Sequence, residues 1–140
     1  MSKLIIPGTG LKDKDHTAFY EYRQNNSGGN FISNHDVSMY VVIEAADARD
    51  ADRIAEQVGI YFNGCDTGED CNCCGDRWYS KSNSWTGDDP AYDTLETVEK
   101  AFETKGEQFW DRKDYWANPG EPYAVVYKLN GDKIVYIKDR

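Results

Sequence analysis

The sequence predicts one small α+β domain over residues 1–140, with a mainly antiparallel sheet and two helices on one face of that sheet. Three observations support this fold class. β-rich runs lie before, between and after two amphipathic helical patterns. The last two runs are separated by Asn130-Gly131-Asp132, and Asn-Gly is a strong hairpin signal. A length of 140 residues suits a single hydrophobic core. A ferredoxin-like arrangement fits this pattern.

The predicted strands are rich in β-branched and aromatic residues and are bounded by polar or glycine-containing turns. They are Lys3–Ile6, Phe19–Arg23, Ser38–Glu44, Arg77–Lys81, Tyr123–Leu129 and Lys133–Ile137. Ser38–Glu44 has the clearest pattern, and we expect it to be central. The strand at Arg77 follows a cysteine-rich loop, and the last two strands form a C-terminal β-hairpin.

Two helices are predicted from capping residues and apolar spacing. Asp47 can cap the first helix, and Gly59 is placed to end it. Its apolar stripe follows the i, i+3, i+4, i+7 pattern and comprises Ala51, Ile54, Ala55 and Val58. Asp93 or Thr94 can cap the second helix, which is expected to end near Gly106.

Composition restricts the function. Leu, Ile, Val and Phe make up about 18% of the chain, which is low for a folded domain of net charge -9. Four Trp and ten Tyr can supply the missing core area. No apolar run approaches the roughly 20 residues that span a bilayer, so we expect a cytoplasmic protein with no membrane partner. The acidity opposes general nucleic-acid binding.

The four cysteines lie within ten residues and suggest a metal site. Cys71-x-x-Cys74 followed by Gly75 has the spacing of a zinc knuckle, and Cys65 is a candidate third ligand. The fourth ligand would be Cys73, a histidine, a carboxylate or a residue of another subunit. Reduced thiols are an equally simple interpretation, whereas a disulfide is opposed by cytosolic reduction. Structural zinc is therefore the one cofactor that the sequence suggests.

Two segments resemble a group of small tailed-phage proteins that has no established activity. They are the DCxCCGDRWY-type motif within Tyr61–Tyr79 and the RQNNSGGNF-type segment Arg23–Phe31. Together with the elements between them they cover Phe19–Tyr79. The resemblance implies a phage origin and an accessory role in the cytoplasm of an infected bacterium.

These same segments carry the candidate ligand site. The run Asp76-Arg77-Trp78-Tyr79 places a guanidinium beside two aromatic rings, a combination that can hold a nucleotide by ion pairing and stacking, and Arg77 and Trp78 are its leading candidates. The upstream loop adds amide side chains and a Gly-Gly pair able to form an anion-binding nest, from Gln24, Asn25, Asn26, Gly28 and Gly29. In the alternative interpretation Arg77 pairs with Asp76 or Asp70, and Trp78 fills the core.

Aromatic residues also suggest a protein-binding surface. Trp85 lies in a polar loop, where we expect it to be exposed, and it is a better candidate for contact with a partner than Trp110, since tryptophan is common in binding hot spots. Trp110 and Tyr115 belong to the aromatic and charged stretch Glu107–Trp116. The alternative is that this stretch covers the end of the sheet.

The sequence favours binding over catalysis. His35-Asp36 is an adjacent pair in a loop, and no Ser or Cys nucleophile lies in an activation motif. We therefore expect stoichiometric binding that inhibits a host or defence protein or sequesters a small signalling nucleotide. A metal-dependent hydrolase of a nucleotide or nucleic acid is the second hypothesis, and a virion or assembly component is the third.

Overall fold

The computed structural model contains five strands and three helices in the residues that it describes. Those residues are 2–7, 17–25, 32–70, 75–82, 90–110 and 120–137. The strands are β1 (Ser2–Ile6), β2 (Ala18–Arg23), β3 (Tyr40–Ala45), β4 (Pro122–Tyr127) and β5 (Lys133–Ile137). The helices are α1 (Ala48–Val58), α2 (Gly64–Thr67) and α3 (Leu95–Trp110). None of these helices is long and apolar enough to cross a bilayer.

The five strands form one sheet in the order β1-β5-β4-β3-β2. Three of the four pairings are antiparallel, and β3 pairs with β4 in parallel. The α+β class with a mainly antiparallel sheet is therefore confirmed. The parallel pairing requires a crossover connection, and all three helices lie within the crossover from β3 to β4.

The first helix packs on one face of the sheet. α1 directs Ala51 and Ala55 onto Val41 and Ile43 of β3, and all four side chains are fully buried. The helix begins as predicted, because Asp47 accepts a hydrogen bond from the backbone N–H of Asp50 at 2.7 Å. It also ends as predicted, at Gly59, which adopts a positive φ of 117°.

The third helix packs on the opposite face. Val98 and Phe102 of α3 contact a cluster that contains Tyr40 and Val42 of β3. The prediction that both helices share one face is therefore wrong, and the arrangement is not ferredoxin-like. The physical reason is visible in β3, where consecutive residues alternate between faces and yet Val41, Val42 and Ile43 are all fully buried. A sheet covered on one side only would leave Val42 exposed.

The boundaries of α3 differ from the prediction at one end. Thr94 caps the helix, because its Oγ1 accepts a hydrogen bond from the N–H of Thr97 at 3.2 Å. The backbone then stays helical beyond Gly106, where we expected the helix to end, and continues to Trp110. A glycine inside a helix costs about 1 kcal/mol relative to alanine, which one position can tolerate.

The C-terminal hairpin is confirmed. The N–H of Gly131 donates to the carbonyl of Lys128 at 2.9 Å, and the N–H of Lys128 donates to Asp132 at 2.8 Å. Gly131 has a φ of 92°, whereas Asn130 keeps a negative φ. The turn therefore needs glycine at position 131 only, and it is not the two-residue turn in which both central residues have positive φ.

Residues 75–82 are irregular, so the strand predicted at Arg77–Lys81 is wrong. The backbone N–H of Arg77 donates to Asp70 Oδ2 at 2.7 Å. The backbone N–H of Lys81 donates to Asp52 Oδ1 at 2.8 Å. Two side-chain carboxylates thus accept hydrogen bonds from backbone N–H groups that, in a strand, would donate to the neighbouring strand.

Candidate ligand-binding groove beside α1

Arg77 lies in the interior, where it joins the two segments singled out in the sequence. Its Nη1 donates to Gln24 Oε1 at 2.7 Å, and its Nε donates to the hydroxyl of Tyr61 at 3.1 Å. The same Nε lies 3.8 Å from Asp70 Oδ1. The residue is only 7% exposed. This arrangement favours the alternative in which Arg77 is an ion-pair partner of Asp70.

Asp70 and Tyr61 complete this buried network. The hydroxyl of Tyr61 donates to Asp70 Oδ1 at 2.6 Å. Burial raises the pKa of Tyr61, and the hydrogen bond to Asp70 raises it further, although Arg77 acts in the opposite direction. The phenol therefore stays protonated and keeps donating at neutral pH. The network binds the loop after α1 to the segment that begins at Gly75.

Gln24 and Asn25 hold backbone groups in place. Gln24 Nε2 donates to the carbonyls of Ile32 and Ser38, and its Oε1 accepts from the N–H of Ile32 at 2.6 Å. Asn25 Nδ2 donates to the carbonyl of Asp76 at 3.1 Å. The two segments thus meet in space, as the ligand-site hypothesis required. Asn26, Gly28 and Gly29 lie outside the described residues.

Trp78 is a core residue. It is 1% exposed and belongs to the cluster under α1 that includes Tyr22 and Ile43. A base cannot stack on an indole whose faces are covered by protein, so the burial favours core packing over a stacking platform. Its buried Nε1 has no hydrogen-bond partner among the described residues.

Asp52 anchors residues 81–82 to α1. It is buried, and its carboxylate accepts from the hydroxyl of Tyr22 at 2.6 Å and from the N–H groups of Lys81 and Ser82 at 2.8 and 3.0 Å. The hydroxyl of Ser82 is a fourth donor. Burial opposes ionisation, but the hydrogen bonds from Ser82, Tyr22 and the backbone outweigh it and lower the pKa of Asp52. The carboxylate is therefore ionised at neutral pH.

These two networks position a groove of about 590 Å³ beside α1. Its volume lies within the range of about 300–1,000 Å³ that small-molecule sites occupy. The groove is bounded by α1, by the loop after it and by the irregular segment. These contribute Arg49, Asp52, Arg53 and Glu56, then Phe62 and Asn63, and finally Asp76, Trp78, Tyr79, Ser80 and Ser82.

Two features give the groove its chemical character. Tyr79 is 53% exposed and is the only large aromatic side chain so exposed in the described residues. Arg49 and Arg53 lie one helical turn apart on α1 and line the same groove. Arg53 is oriented by an ion pair, in which its Nη2 lies 2.6 Å from Asp50 Oδ1. Arg49 has no hydrogen-bond or ion-pair partner in the described ranges.

The groove also contains negative charge. Glu56 on α1 and Asp76 on the facing segment both line it. Asp76 Oδ1 accepts from the backbone N–H of Cys65 at 2.9 Å, so this carboxylate also fixes the start of α2. The groove is therefore bipolar, with cationic and anionic groups able to contact different parts of one ligand.

Sequence reasoning missed Arg49 and Arg53. It recognised Tyr79 as the second aromatic ring beside Arg77, but it expected Trp78 to be the stacking surface. The sequence does contain a signal for this site. Arg49 and Arg53 are four residues apart on the polar side of the predicted helix, so they share one helix face. Only the fold places them in one groove with Tyr79, because these residues are 26 or more positions apart in the sequence.

The cysteine cluster is described at Cys65 only. Burial raises the pKa of the Cys65 thiol to about 11, and Asp76, Asp70 and Asp66 raise it too. Cys71 and Cys74 lie outside the described residues. Among the side chains that are described, no group of three potential metal ligands occurs. The zinc hypothesis stays a prediction.

The remaining candidate residues have different outcomes. Trp85, Tyr115 and the side chain of Trp110 lie outside the described residues. His35 is exposed, and the carboxylate of Asp36 pairs with Lys133 Nζ at 2.7 Å. Asp36 thus has a partner on β5 instead of acting with His35.

The fold and the groove define a small α+β domain with a ligand-sized, bipolar site. A family model described as a domain of unknown function (DUF7296) matches residues 17–140. The chain belongs to this family. No curated protein matches it, and no solved structure does.

Proposed function

We propose that this protein acts by stoichiometric binding and that the groove beside α1 holds a small nucleotide. The observation that carries the proposal is the placement of two arginines, Arg49 and Arg53, in the same groove as the exposed ring of Tyr79. Cationic groups and an accessible aromatic face are the two features that nucleotide binding uses.

The arginines supply the phosphate contacts. A guanidinium can donate two parallel hydrogen bonds to a phosphate, which makes arginine well suited to this group. Arg49 is exposed, and Arg53 is oriented by Asp50, so both can approach a ligand from the polar side of α1. With a net charge of -9, the protein repels long polyanions, so the proposal is restricted to small ligands.

Other side chains of the groove supply contacts to the base. Tyr79 offers a ring on which a base can stack, an interaction of about 1–3 kcal/mol. Asp76 and Glu56 are carboxylates, which accept hydrogen bonds from exocyclic amino groups and repel phosphate. This bipolar arrangement favours a ligand with a phosphate at one end and an amino-bearing base at the other.

The resemblance to tailed-phage proteins suggests where such binding would matter. A protein that sequesters a signalling nucleotide in the cytoplasm of an infected bacterium would remove that signal without turning it over. Inhibition of a host or defence protein through the same surface is the other form of the binding hypothesis.

Calorimetry with mono-, di- and cyclic nucleotides tests the proposal. We expect one ligand per chain, and we expect Tyr79→Ala to weaken binding by about 5- to 150-fold. Arg49→Ala should weaken it as well, without a change in melting temperature. Lys100→Ala is the matched control, because Lys100 is an exposed cation on α3, away from the groove. The proposal fails if no nucleotide binds, or if the groove variants bind like the control.

Turnover separates binding from the hydrolase hypothesis. The nucleotide that binds is incubated with catalytic amounts of protein, with and without added divalent metal. A binding protein leaves the ligand intact. Product in excess of the protein concentration would replace stoichiometric binding with a metal-dependent hydrolase.

A further inference from the structure

β1 forms an open edge of the sheet. It pairs with β5 over all five of its residues and has no other strand partner in the described ranges. In an antiparallel pair, alternate residues direct their N–H and C=O groups away from the partner strand. The outer side of β1 therefore presents backbone donors and acceptors to a further strand.

The side chains of β1 are unusually exposed for apolar residues. Leu4, Ile5 and Ile6 are 39%, 53% and 37% exposed. Tyr79 is the only other large hydrophobic residue so exposed in the part of the chain that is described. The register places Leu4 opposite Val135 and Ile5 opposite Ile134, so the exposed side chains lie on both faces of the edge.

Within the residues that the structure describes, β1 lacks the usual protection of an edge strand. Edge strands commonly carry an outward lysine, a proline or a covering segment. Lys3 is the one charged residue of β1. Its Nζ lies 3.1 Å from Glu99 Oε1 of α3, so the side chain extends over the face that α3 covers and not outward from the edge. Pro7 follows the strand without interrupting it.

The opposite edge of the sheet, which β2 forms, is partly covered by another segment. Phe19 of β2 donates its N–H to the carbonyl of Tyr92 at 2.8 Å, and its own carbonyl accepts from Ala91 at 2.9 Å. Residues 91–92 thus cover part of the β2 edge. In the described residues the β2 edge is thus partly covered by another segment, whereas the β1 edge exposes three large aliphatic side chains.

We propose that β1 pairs antiparallel with β1 of a second copy of this chain, which forms a two-fold dimer with a continuous ten-stranded sheet. The strand is self-complementary, because an antiparallel register centred on Ile5 sets Ile5 opposite Ile5 and Leu4 opposite Ile6 and leaves Lys3 opposite Pro7. The charged side chains beside the edge, Lys3 and Glu99, neutralise each other. β1 therefore brings no net charge of its own to the contact.

The test is the mass of the full chain in solution, measured by light scattering and sedimentation equilibrium over a range of concentrations. We expect about twice the 16.0 kDa of one chain. Ile5→Lys should weaken dimerisation at least about tenfold, because two lysines then meet at the two-fold axis. Leu4→Lys, on the opposite face, should weaken it too, because it sets a charged side chain opposite Ile6 of the second copy. Tyr79→Lys is the matched control, since Tyr79 is also 53% exposed but lies in the groove.

Three results would overturn the proposal. The wild type could remain a monomer at about 1 mM, the control could dissociate equally, or only one of the two β1 variants could dissociate. The last result would indicate face-to-face stacking. Melting curves verify that each variant folds, and hydrogen exchange supplies a measurement on the wild type. Outward amides of β1 should gain protection as concentration rises, and protection that does not change would count against strand pairing.

Discussion

Tyr22 in β2 donates its hydroxyl to Asp52 in α1 over 2.6 Å, and this hydrogen bond ties the sheet to the helix that carries the groove arginines. The same carboxylate accepts from Lys81 and Ser82, so it also holds the facing segment. Burial raises the pKa of Tyr22 far above its ordinary value, and the bond to Asp52 raises it further. The phenol therefore stays protonated and remains a donor at neutral pH.

The first prediction concerns Asp52. Asp52→Asn should lower the free energy of unfolding by about 2 kcal/mol at pH 7, because the amide loses charge-assisted bonds and offers one acceptor oxygen where the carboxylate has two. The folded state lowers the pKa of Asp52, so the stabilisation is present above its unfolded pKa of about 3.9. It is lost as the pH falls through the folded value.

Urea denaturation at several pH values measures this effect. The difference between wild type and Asp52→Asn should be full above about pH 5 and shrink below about pH 4. Glu56→Gln removes an exposed carboxylate from the same helix and should have little effect on stability. A difference that stays constant with pH would contradict the role of the ionised carboxylate.

The second prediction concerns Arg77. Arg77→Ala should cost about 3–5 kcal/mol of stability, because it leaves Asp70 buried without its cation. Arg53→Ala removes an arginine from the exposed pair with Asp50 and should cost at most about 1 kcal/mol. Chemical denaturation compares the two directly. Equal costs would mean that Arg77 does not act as a buried ion-pair partner.

The third prediction concerns zinc. Purified reduced protein should carry about one zinc per chain if Cys71 and Cys74 form a knuckle, and chelation should then lower the melting temperature. Cys71→Ser and Cys74→Ser should act alike. If Cys65 is the third ligand, its thiol pKa of about 11 makes zinc affinity rise with pH, because the metal must displace a proton. Elemental analysis without metal, together with thiols that titrate freely, would exclude the site.

The fourth prediction concerns the hairpin. Gly131→Val should destabilise the protein by about 1 kcal/mol or more, because Gly131 has a φ of 92° and a β-branched residue is strained there. Asn130→Ala is the comparison, since Asn130 has a negative φ and the variant removes only its side-chain hydrogen bonds to Asp132, so it should lower the stability less. Nucleotide binding should persist in folded Gly131→Val, as the hairpin does not line the groove. Lost binding with intact stability would move the function to the hairpin.

The sequence identified the elements whose signals are local. Asp47 and Gly59 set the ends of α1 through capping chemistry, and Gly131 set the position of the hairpin turn. The side of the sheet taken by α3 depended on β3, whose successive buried residues Val41 and Val42 indicate cover on both faces.

The site was harder to predict, because its chemistry depends on burial. Arg77 and Trp78 have the residue types of a nucleotide site, but Asp70 and the core under α1 hold them inside. Their neighbour Tyr79 is exposed. Sequence alone cannot tell which of three adjacent residues faces the solvent when the segment is irregular, since no strand or helix period applies to it.

The last prediction separates core packing from ligand binding at Trp78. Trp78→Ala should lower the free energy of unfolding by about 3–5 kcal/mol, because it removes a fully buried side chain and leaves a cavity under α1. Such a loss can unfold a small domain, so the variant by itself would not show whether binding is lost directly. Trp78→Phe keeps an aromatic ring and removes the indole N–H, which has no acceptor among the described residues. Trp78→Phe should lower the free energy of unfolding less than Trp78→Ala does, and it should remain folded.

Folded Trp78→Phe should bind nucleotide like the wild type, whereas Tyr79→Ala should not. Calorimetry measures the binding, and melting curves verify that each variant is folded. If Trp78→Ala keeps the stability of the wild type, or if folded Trp78→Phe loses nucleotide binding, then Trp78 belongs to the ligand site and not to the core.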